Sequence, residues 1–345
     1  MTVEHSDTLF EEPTPPGTAL QFWIRTPGQG TMLRKPLAPR QEGEVLVRTH
    51  YSAISRGTEA LVFRGEVPPS QYESMRAPFQ EGRFPGPVKY GYTSVGRVVA
   101  AREEPGAGLL DRMVFCLYPH QDLYHVPATA VTPLPPGIPP ERAILGSNME
   151  TAVNAVWDAG AVPGDRIAVV GGGVVGLLIA WLCQRTPGTE VIAVDTNASR
   201  ALPVEGLGAR FSVDPPEQFD ADVVFHASGQ PEGLRTALQL AGDQATVVEA
   251  SWYGDRQVPV PLGEAFHSRR LRLVSTQVGR VPPTRAPRWS PSRRLSLALD
   301  LLRDPWFDDL ITSESEFEQL PEVLERLSRE PGDTLCHRIR YSTNH

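Results

Sequence analysis

The chain has 345 residues, 40% hydrophobic and 21% charged, with a formal net charge of -8 at pH 7. That length carries a core well above the marginal size range. The acidic balance leaves no basic footprint for nucleic acid or an anionic membrane surface. Lysine occurs only at Lys35 and Lys89, so arginine supplies nearly all the positive charge. Cys116, Cys183 and Cys336 are widely spaced and form no CxxC pair, which argues against a disulfide framework and a cysteine zinc site. No apolar run approaches the ~18 residues of a membrane helix.

The N-terminus, "MTVEHSDTLFEEPTPPGT", is acidic and Pro-rich and lacks the order of a signal peptide. Residues 1–18 are therefore expected to be a flexible tail, and the protein to be cytoplasmic. The first strand is expected near Leu20 to Ile24. From 20 to 135, short apolar runs broken by Pro and Gly ("LQFWI", "EVLVRTHYSAI", "TSVGRVVAA", "RMVFCLY", "DLYHVP") predict an irregular all-β region. The segment "EGRFPGPVKYGY" holds too many Gly and Pro for regular structure. At "PPERAILGSNMETAVNAVWDAG" the period becomes helical, with Pro163-Gly164-Asp165 as the expected stop.

From 166 the texture alternates. "RIAVVG" predicts a buried parallel strand, "VVGLLIAWLCQRT" an apolar helix and "EVIAVD" a second strand, with "ARFSV", "DVVFHA", "ATVVEA" and "LRLVST" further on. Strands alternating with helices predict a doubly wound parallel sheet. The tail, "RRLSLALDLLRDPWFDDLI" and "LPEVLERLSRE", predicts two helices before a strand at "CHRIRYS".

Gly171, Gly173 and Gly176 have GxGxxG spacing between a strand and a helix, and Asp195 closes the second strand about 20 residues on. Gly171 allows the tight turn, Gly173 the approach of a pyrophosphate, and Gly176 close helix packing. Val174 and Val175 open the helix, whose N-terminal N–H groups face the phosphates. Asp195 is expected to accept hydrogen bonds from the adenosine ribose hydroxyls. Its charge repels a 2′-phosphate, so NAD is favoured over NADP. Arg200 either flanks that ribose or is a solvated surface charge.

These segments in this order resemble the medium-chain dehydrogenase/reductase superfamily over nearly all of residues 20–341. The resemblance implies an α/β chain: a GroES-like catalytic domain over 19–146 and 281–345, and a Rossmann NAD-binding domain over 147–280. "YSAISRGTEALVFRGEVP" and "YGYTSVGRVV" most resemble the branch of hydroxyethyl-bacteriochlorophyllide dehydrogenase. The superfamily's catalytic zinc ligands correspond here to Ser55, Tyr92 and Ser147, and its four-cysteine structural zinc lobe is missing. Zinc takes thiolate, imidazole or carboxylate, so no zinc is expected.

Without a metal, a donor or base must act on the substrate oxygen. Tyr92 stands where the metal's histidine would; alternatively it is cleft wall. His120 offers an imidazole, a side chain suited to proton transfer, and sits in a loop that the resemblance puts beside the substrate. Ser55 is a further candidate, and Glu150 either polarises a partner or ends a helix. The resemblance assigns Arg56 to the pyrophosphate, with an ion pair to Glu59 as the alternative, and Thr151 to the nicotinamide pocket. Ala227, Ser228 and Gly229 end a strand at the sheet's carboxyl edge, and Ser251 in "EASWYG" is expected on the nicotinamide side. His337 is a weaker candidate for the phosphates.

The long connection "FRGEVPPSQYESMRAPFQEGRFPGPVKY" reads as a substrate-side flap, its Arg64, Tyr72, Arg76, Phe79 and Arg83 suiting a flat or anionic substrate. The expected function is zinc-independent, NAD(H)-linked interconversion of a secondary alcohol and a ketone. The alternatives are a quinone or enoyl double-bond reductase and a non-catalytic dinucleotide-binding module. A homodimer is expected through "RRLRLVSTQVG", an apolar edge strand.

Overall fold

The computed structural model describes residues 17–101 and 106–342. The expected tail lies outside the described residues except for its last two positions.

The chain opens with a hairpin, β1 (Thr18–Thr26) and β2 (Gln29–Pro36). Gly28, at φ +76°, takes the left-handed conformation its turn requires. β3 (Glu44–Ile54) alternates buried and partly exposed residues along most of its length, the period of a strand with one face on the core. A short helix, α1 (Thr58–Arg64), follows and stops at Gly65. The flap then carries only two-residue strands, β4 (Glu81–Gly82) and β5 (Val88–Lys89). β6 (Ser94–Ala100), β7 (Met113–Cys116), β8 (Leu123–Pro127) and β9 (Val131–Pro133) complete the irregular β region.

The expected single helix after this region is two: α2 (Pro140–Ala143) and α3 (Gly146–Ala159). α3 stops before Pro163, because Gly160 at φ +67° supplies a left-handed C-terminal residue.

Six parallel strands follow: β10 (Arg166–Val170), β11 (Glu190–Val194), β12 (Arg210–Ser212), β13 (Ala221–His226), β14 (Ala241–Glu249) and β15 (Arg272–Ser275). Their order is β12-β11-β10-β13-β14-β15, with helices α4 (Val174–Gln184), α5 (Ala201–Glu205), α6 (Pro231–Leu240) and α7 (Ala265–Ser268) in the connections. The order reverses between β10 and β13, which opens a crevice at their carboxyl ends. Ala168, Val169, Val224 and Phe225 are fully buried there, as a sheet covered on both faces demands.

The chain then returns to the first sheet through α8 (Pro291–Leu301), β16 (Ile311–Glu316), α9 (Leu320–Arg329) and β17 (Cys336–Arg340). The helix expected to run to "DDLI" ends at Leu301. Asp304 accepts the Trp306 N–H at 3.0 Å, and Pro305 opens a short 3₁₀ turn whose Phe307 packs on Trp181. β17 pairs with β3 and β16, completing a sheet of order β16-β17-β3-β6-β7-β9 with β8 also on β3.

Candidate active site

The glycine loop spans the three residues between β10 and α4. Gly171 sits at φ +110°, and a Cβ there would come 2.5 Å from the Ser228 nitrogen. A Cβ on Gly176 would overlap the Gly171 carbonyl, so only glycine lets α4 seat on the loop. At Gly173 nothing lies within 4 Å of the same position. That clearance lies at the end of an 11-residue helix with no side-chain cap, beginning Val174-Val175, whose first N–H groups are open to an anion.

Asp195 follows β11 directly. Its Oδ2 accepts the Gly172 N–H at 2.6 Å and its Oδ1 the Asn197 N–H at 2.8 Å. A carboxylate has further lone pairs, so acceptor capacity remains. Arg200 is not the solvated surface charge of the second alternative; it is 5% exposed and donates to the Asp333 carbonyl at 2.7 Å. Arg56 donates to the Thr334 carbonyl, and its Nε is buried without a partner. Burial, and then the Arg200 charge, hold the Arg56 guanidinium below its usual range, with Asp195 opposing them. The orphaned Nε of Arg56, with Arg200 as a second guanidinium near it, fits a diphosphate.

On the other side of the loop, the Ala227 N–H donates to the Val170 carbonyl at 2.8 Å. The Ser251 hydroxyl accepts the Gly229 N–H at 3.0 Å. Between them runs a cluster absent from the sequence reading. His226 Nε2 lies 2.6 Å from Ser228 Oγ, its Nδ1 2.8 Å from Glu249 Oε2, and the Tyr253 hydroxyl donates to the same Glu249 oxygen at 3.2 Å. The available signal was a His and a Glu each ending one of two neighbouring strands, "VVFH" and "VVE". These distances imitate a hydrolase triad, but Ser228 Oγ also accepts the Gln230 N–H at 3.2 Å under the first turn of α6. The hydroxyl also closes the local turn that leads into α6. Thr151 turns inward too, donating to the Ser147 carbonyl at 3.0 Å.

Burial, and then the Glu59 charge, raise the Tyr92 phenol above the ordinary tyrosine range. The nearby hydroxyls of Ser55 and Thr58 favour its ionised form, but those larger effects oppose them. Ser147 Oγ lies 2.8 Å from Thr93 Oγ1. Behind this row, Glu59 Oε1 accepts the Ser55 N–H at 3.1 Å while Oε2 lies 2.8 Å from His120 Nε2. His120 Nδ1 continues to Ser52 Oγ at 2.9 Å, and Ser52 to the Tyr341 hydroxyl at 3.0 Å.

Four expectations change here. His120 is 1% exposed and lies against Gly91, so it stands behind the site and does not line it. Glu59 is engaged by His120, not Arg56. Glu150 lies inside α3 and forms a buried ion pair with Arg294 at 3.1 Å, which makes it a strut between α3 and α8. His337 is held between Ser313 (2.7 Å) and Ser315 (2.9 Å) and does not face the phosphates. Burial, and then the charge of Arg326, push its pKa down to about 4.

The flap leads to the site as a ladder of rings: Tyr72–Phe84 at 5.8 Å, Phe84–Tyr90 at 5.6 Å and Tyr90–Tyr92 at 6.1 Å. Trp252, from the loop after β14, packs into the same cluster. Arg64 and Arg76 are engaged internally, Arg64 with Glu66 and the Ser328 carbonyl, Arg76 with the carbonyls of Gln80 and Gly82. The two halves also meet where the Asp255 N–H donates to the Glu66 carbonyl at 3.0 Å. Ser55, Tyr92 and Ser147 offer only hydroxyl groups. Among the described residues no group of three or more His, Cys, Asp or Glu could hold a metal ion, and no helix is long and apolar enough to cross a membrane.

No protein-family profile matches the chain. It is 27% identical, over 254 residues, to 2-desacetyl-2-hydroxyethyl bacteriochlorophyllide A dehydrogenase of Cereibacter sphaeroides, covering 68% of this chain and 74% of that protein. It is 24% identical, over 275 residues, to S-(hydroxymethyl)glutathione dehydrogenase of Synechocystis, covering 65% and 74%. Among solved structures, the fold is similar to (2R,3R)-butanediol dehydrogenase of Bacillus subtilis, with a TM-score of 0.74, 17% identity and coverage of 93% and 99%. It is equally similar to an Escherichia coli alcohol dehydrogenase complexed with NADH, with a TM-score of 0.74, 15% identity and coverage of 94% and 99%.

Proposed function

We propose that this chain, a dehydrogenase-type oxidoreductase with the fold and relatives of the medium-chain dehydrogenase/reductase superfamily, interconverts a secondary alcohol and a ketone with NAD(H) and without zinc. The observation that carries the reading is that Ser55, Tyr92 and Ser147, at positions that hold metal in zinc enzymes of the superfamily, offer only hydroxyl groups. Tyr92 adjoins the aromatic cluster that Trp252 joins from the loop after β14.

A dinucleotide held by Gly171, Gly173, Gly176, Val174, Val175, Asp195 and Arg56 supplies hydride acceptance or donation. Arg200, Ala227, Ser228, Gly229, Ser251 and Thr151 build the walls around it. The raised pKa keeps the Tyr92 phenol protonated at neutral pH, so it donates a hydrogen bond to the substrate oxygen. In ketone reduction Tyr92 gives its proton to that oxygen and recovers one through the Ser55 and Thr58 hydroxyls; oxidation runs the reverse. Glu59 fixes the Ser55 backbone, and His120 and Ser52 fix Glu59. The partly exposed rings of the aromatic cluster, Tyr72, Tyr92 and Trp252, suit a flat cyclic or aromatic alcohol, and the Cereibacter relative is named for one, a hydroxyethyl bacteriochlorophyllide.

β15 is the outer strand of its sheet, with Leu273 exposed, which supports a homodimer formed there. Sedimentation at micromolar concentration tests it, a monomer being the contrary result.

The test of function combines elemental analysis, NADH and NADPH titration, and a panel of secondary alcohols, ketones, quinones and enones. Turnover of an alcohol–ketone pair with NAD(H), unaffected by chelators, supports the reading. Stoichiometric zinc with activity lost to chelation, or turnover confined to quinones and enones with NADPH, sinks it.

A further inference from the structure

Asn197 stands between two carboxylates from opposite halves of the molecule. Its backbone N–H donates to Asp195 Oδ1 at 2.8 Å, and its Nδ2 donates to Asp333 Oδ1 at 2.7 Å. Ser199 Oγ donates to that same Asp333 oxygen at 3.0 Å, and Arg200 Nη1 to the Asp333 carbonyl at 2.7 Å. Asp333 lies in the exposed turn ahead of β17, on the half that carries Tyr92. The hydrogen bonds from Asn197 and Ser199 hold its carboxyl below the usual range, so it is charged at neutral pH.

We infer that Asp333 is a second determinant of cofactor choice, selecting against a phosphate on the adenosine ribose. The inference rests on the reading of the glycine loop and Asp195 as a dinucleotide site. A ribose 2′-phosphate needs an arginine nearby to accommodate it. The guanidinium side chain placed for this is Arg200, since a Cβ on Gly172 would lie 3.1 Å from Arg200 Cβ and 3.3 Å from Asp195 Oδ2. The main chain of Asp333 takes one arm of that fork, and the Asp333 carboxylate adds a second negative charge, linked to Asp195 through Asn197. A 2′-hydroxyl tolerates this arrangement; a phosphate meets two carboxylates. Ser199, Arg200, Asp333 and Thr334 border a cavity of about 700 Å³.

The experiment is fluorescence titration of NADH and NADPH into the wild type, Asp333→Asn and Asp333→Glu, each at low and at molar salt. At low salt Asp333→Asn tightens NADPH binding by roughly three- to tenfold and moves NADH by less than about twofold. The gain shrinks at molar salt, where the Debye length falls to about 3 Å. Asp333→Glu keeps the wild-type ratio, because the charge is restored. A wild type that prefers NADH alongside an Asp333→Asn variant with an unchanged ratio, or a gain equal at both salts, overturns the inference alone. A wild type that binds neither dinucleotide overturns the reading of the glycine loop, and the inference with it.

Discussion

His120 Nε2 lies 2.8 Å from Glu59 Oε2, and both side chains are almost completely withdrawn from solvent. Taking one member away leaves the other buried without its partner, which typically costs about 3–5 kcal/mol. His120→Ala is therefore expected to lower stability by about that amount, and Glu59→Gln by less, since the amide still hydrogen-bonds the imidazole. Urea unfolding measures both. A His120→Ala protein as stable as wild type would show the pair to be dispensable.

Tyr92→Phe removes one hydroxyl and leaves the ring ladder in place. Loss of a single donor to a developing oxyanion lowers turnover by about 10²- to 10³-fold. NADH affinity stays near wild type, because the glycine loop and Asp195 make no contact with the phenol. Steady-state kinetics with a fluorescence titration separates the two effects. Near-normal turnover would return Tyr92 to cleft wall.

Arg294 ties Glu150, Asn154 and the Val278 carbonyl together beneath α3. Arg294→Met should destabilise by about 3–5 kcal/mol, because the Glu150 carboxylate is then buried alone. Adding Glu150→Leu should recover a large part of that loss. Additive losses in the double variant would mean that the pair is not the unit that matters.

His337 titrates near 4 in the fold against 6.5 in a model peptide. The folded state therefore resists protonation that the unfolded chain accepts, and the stabilisation is complete above pH 6.5 and lost as pH falls towards 4. Between pH 7 and 5 this group therefore contributes to a fall in stability. His337→Gln flattens that part of the stability–pH profile. An identical slope in the variant would assign the effect to other groups.

The parallel sheet and glycine loop were legible because their signals are local. A buried run, a glycine turn and an apolar helix stand within thirty residues of Asp195, and each dictates its own conformation. β16 was missed because "ITSESE" carries almost no hydrophobic period; it belongs to the sheet through its ladder with β17. The site was half legible. Hydroxyls at Ser55, Tyr92 and Ser147 could be read by position, but what each hydroxyl touches could not. Glu59 and His120 are 61 residues apart, and Glu150 and Arg294 are 144 apart. Pairings over such distances leave no pattern in neighbouring residues, so His120 read as a loop histidine and Glu150 as a helix end. Arg200 read as surface or ribose contact because its acceptor, Asp333, lies in the other half of the chain.

The Asp255 N–H to Glu66 carbonyl bond joins the loop after β14 to the first residues of the flap, while Asn197 and Asp333 join the halves beside Asp195. The crevice is thus stitched along both margins, and parting the flap margin frees one particular amide from its acceptor. The Asp255 amide is therefore a built-in clock: its deuterium uptake counts the openings of the seam. Comparing that rate with the turnover number would tell whether the chemistry at Tyr92 or the parting of the two halves sets the pace.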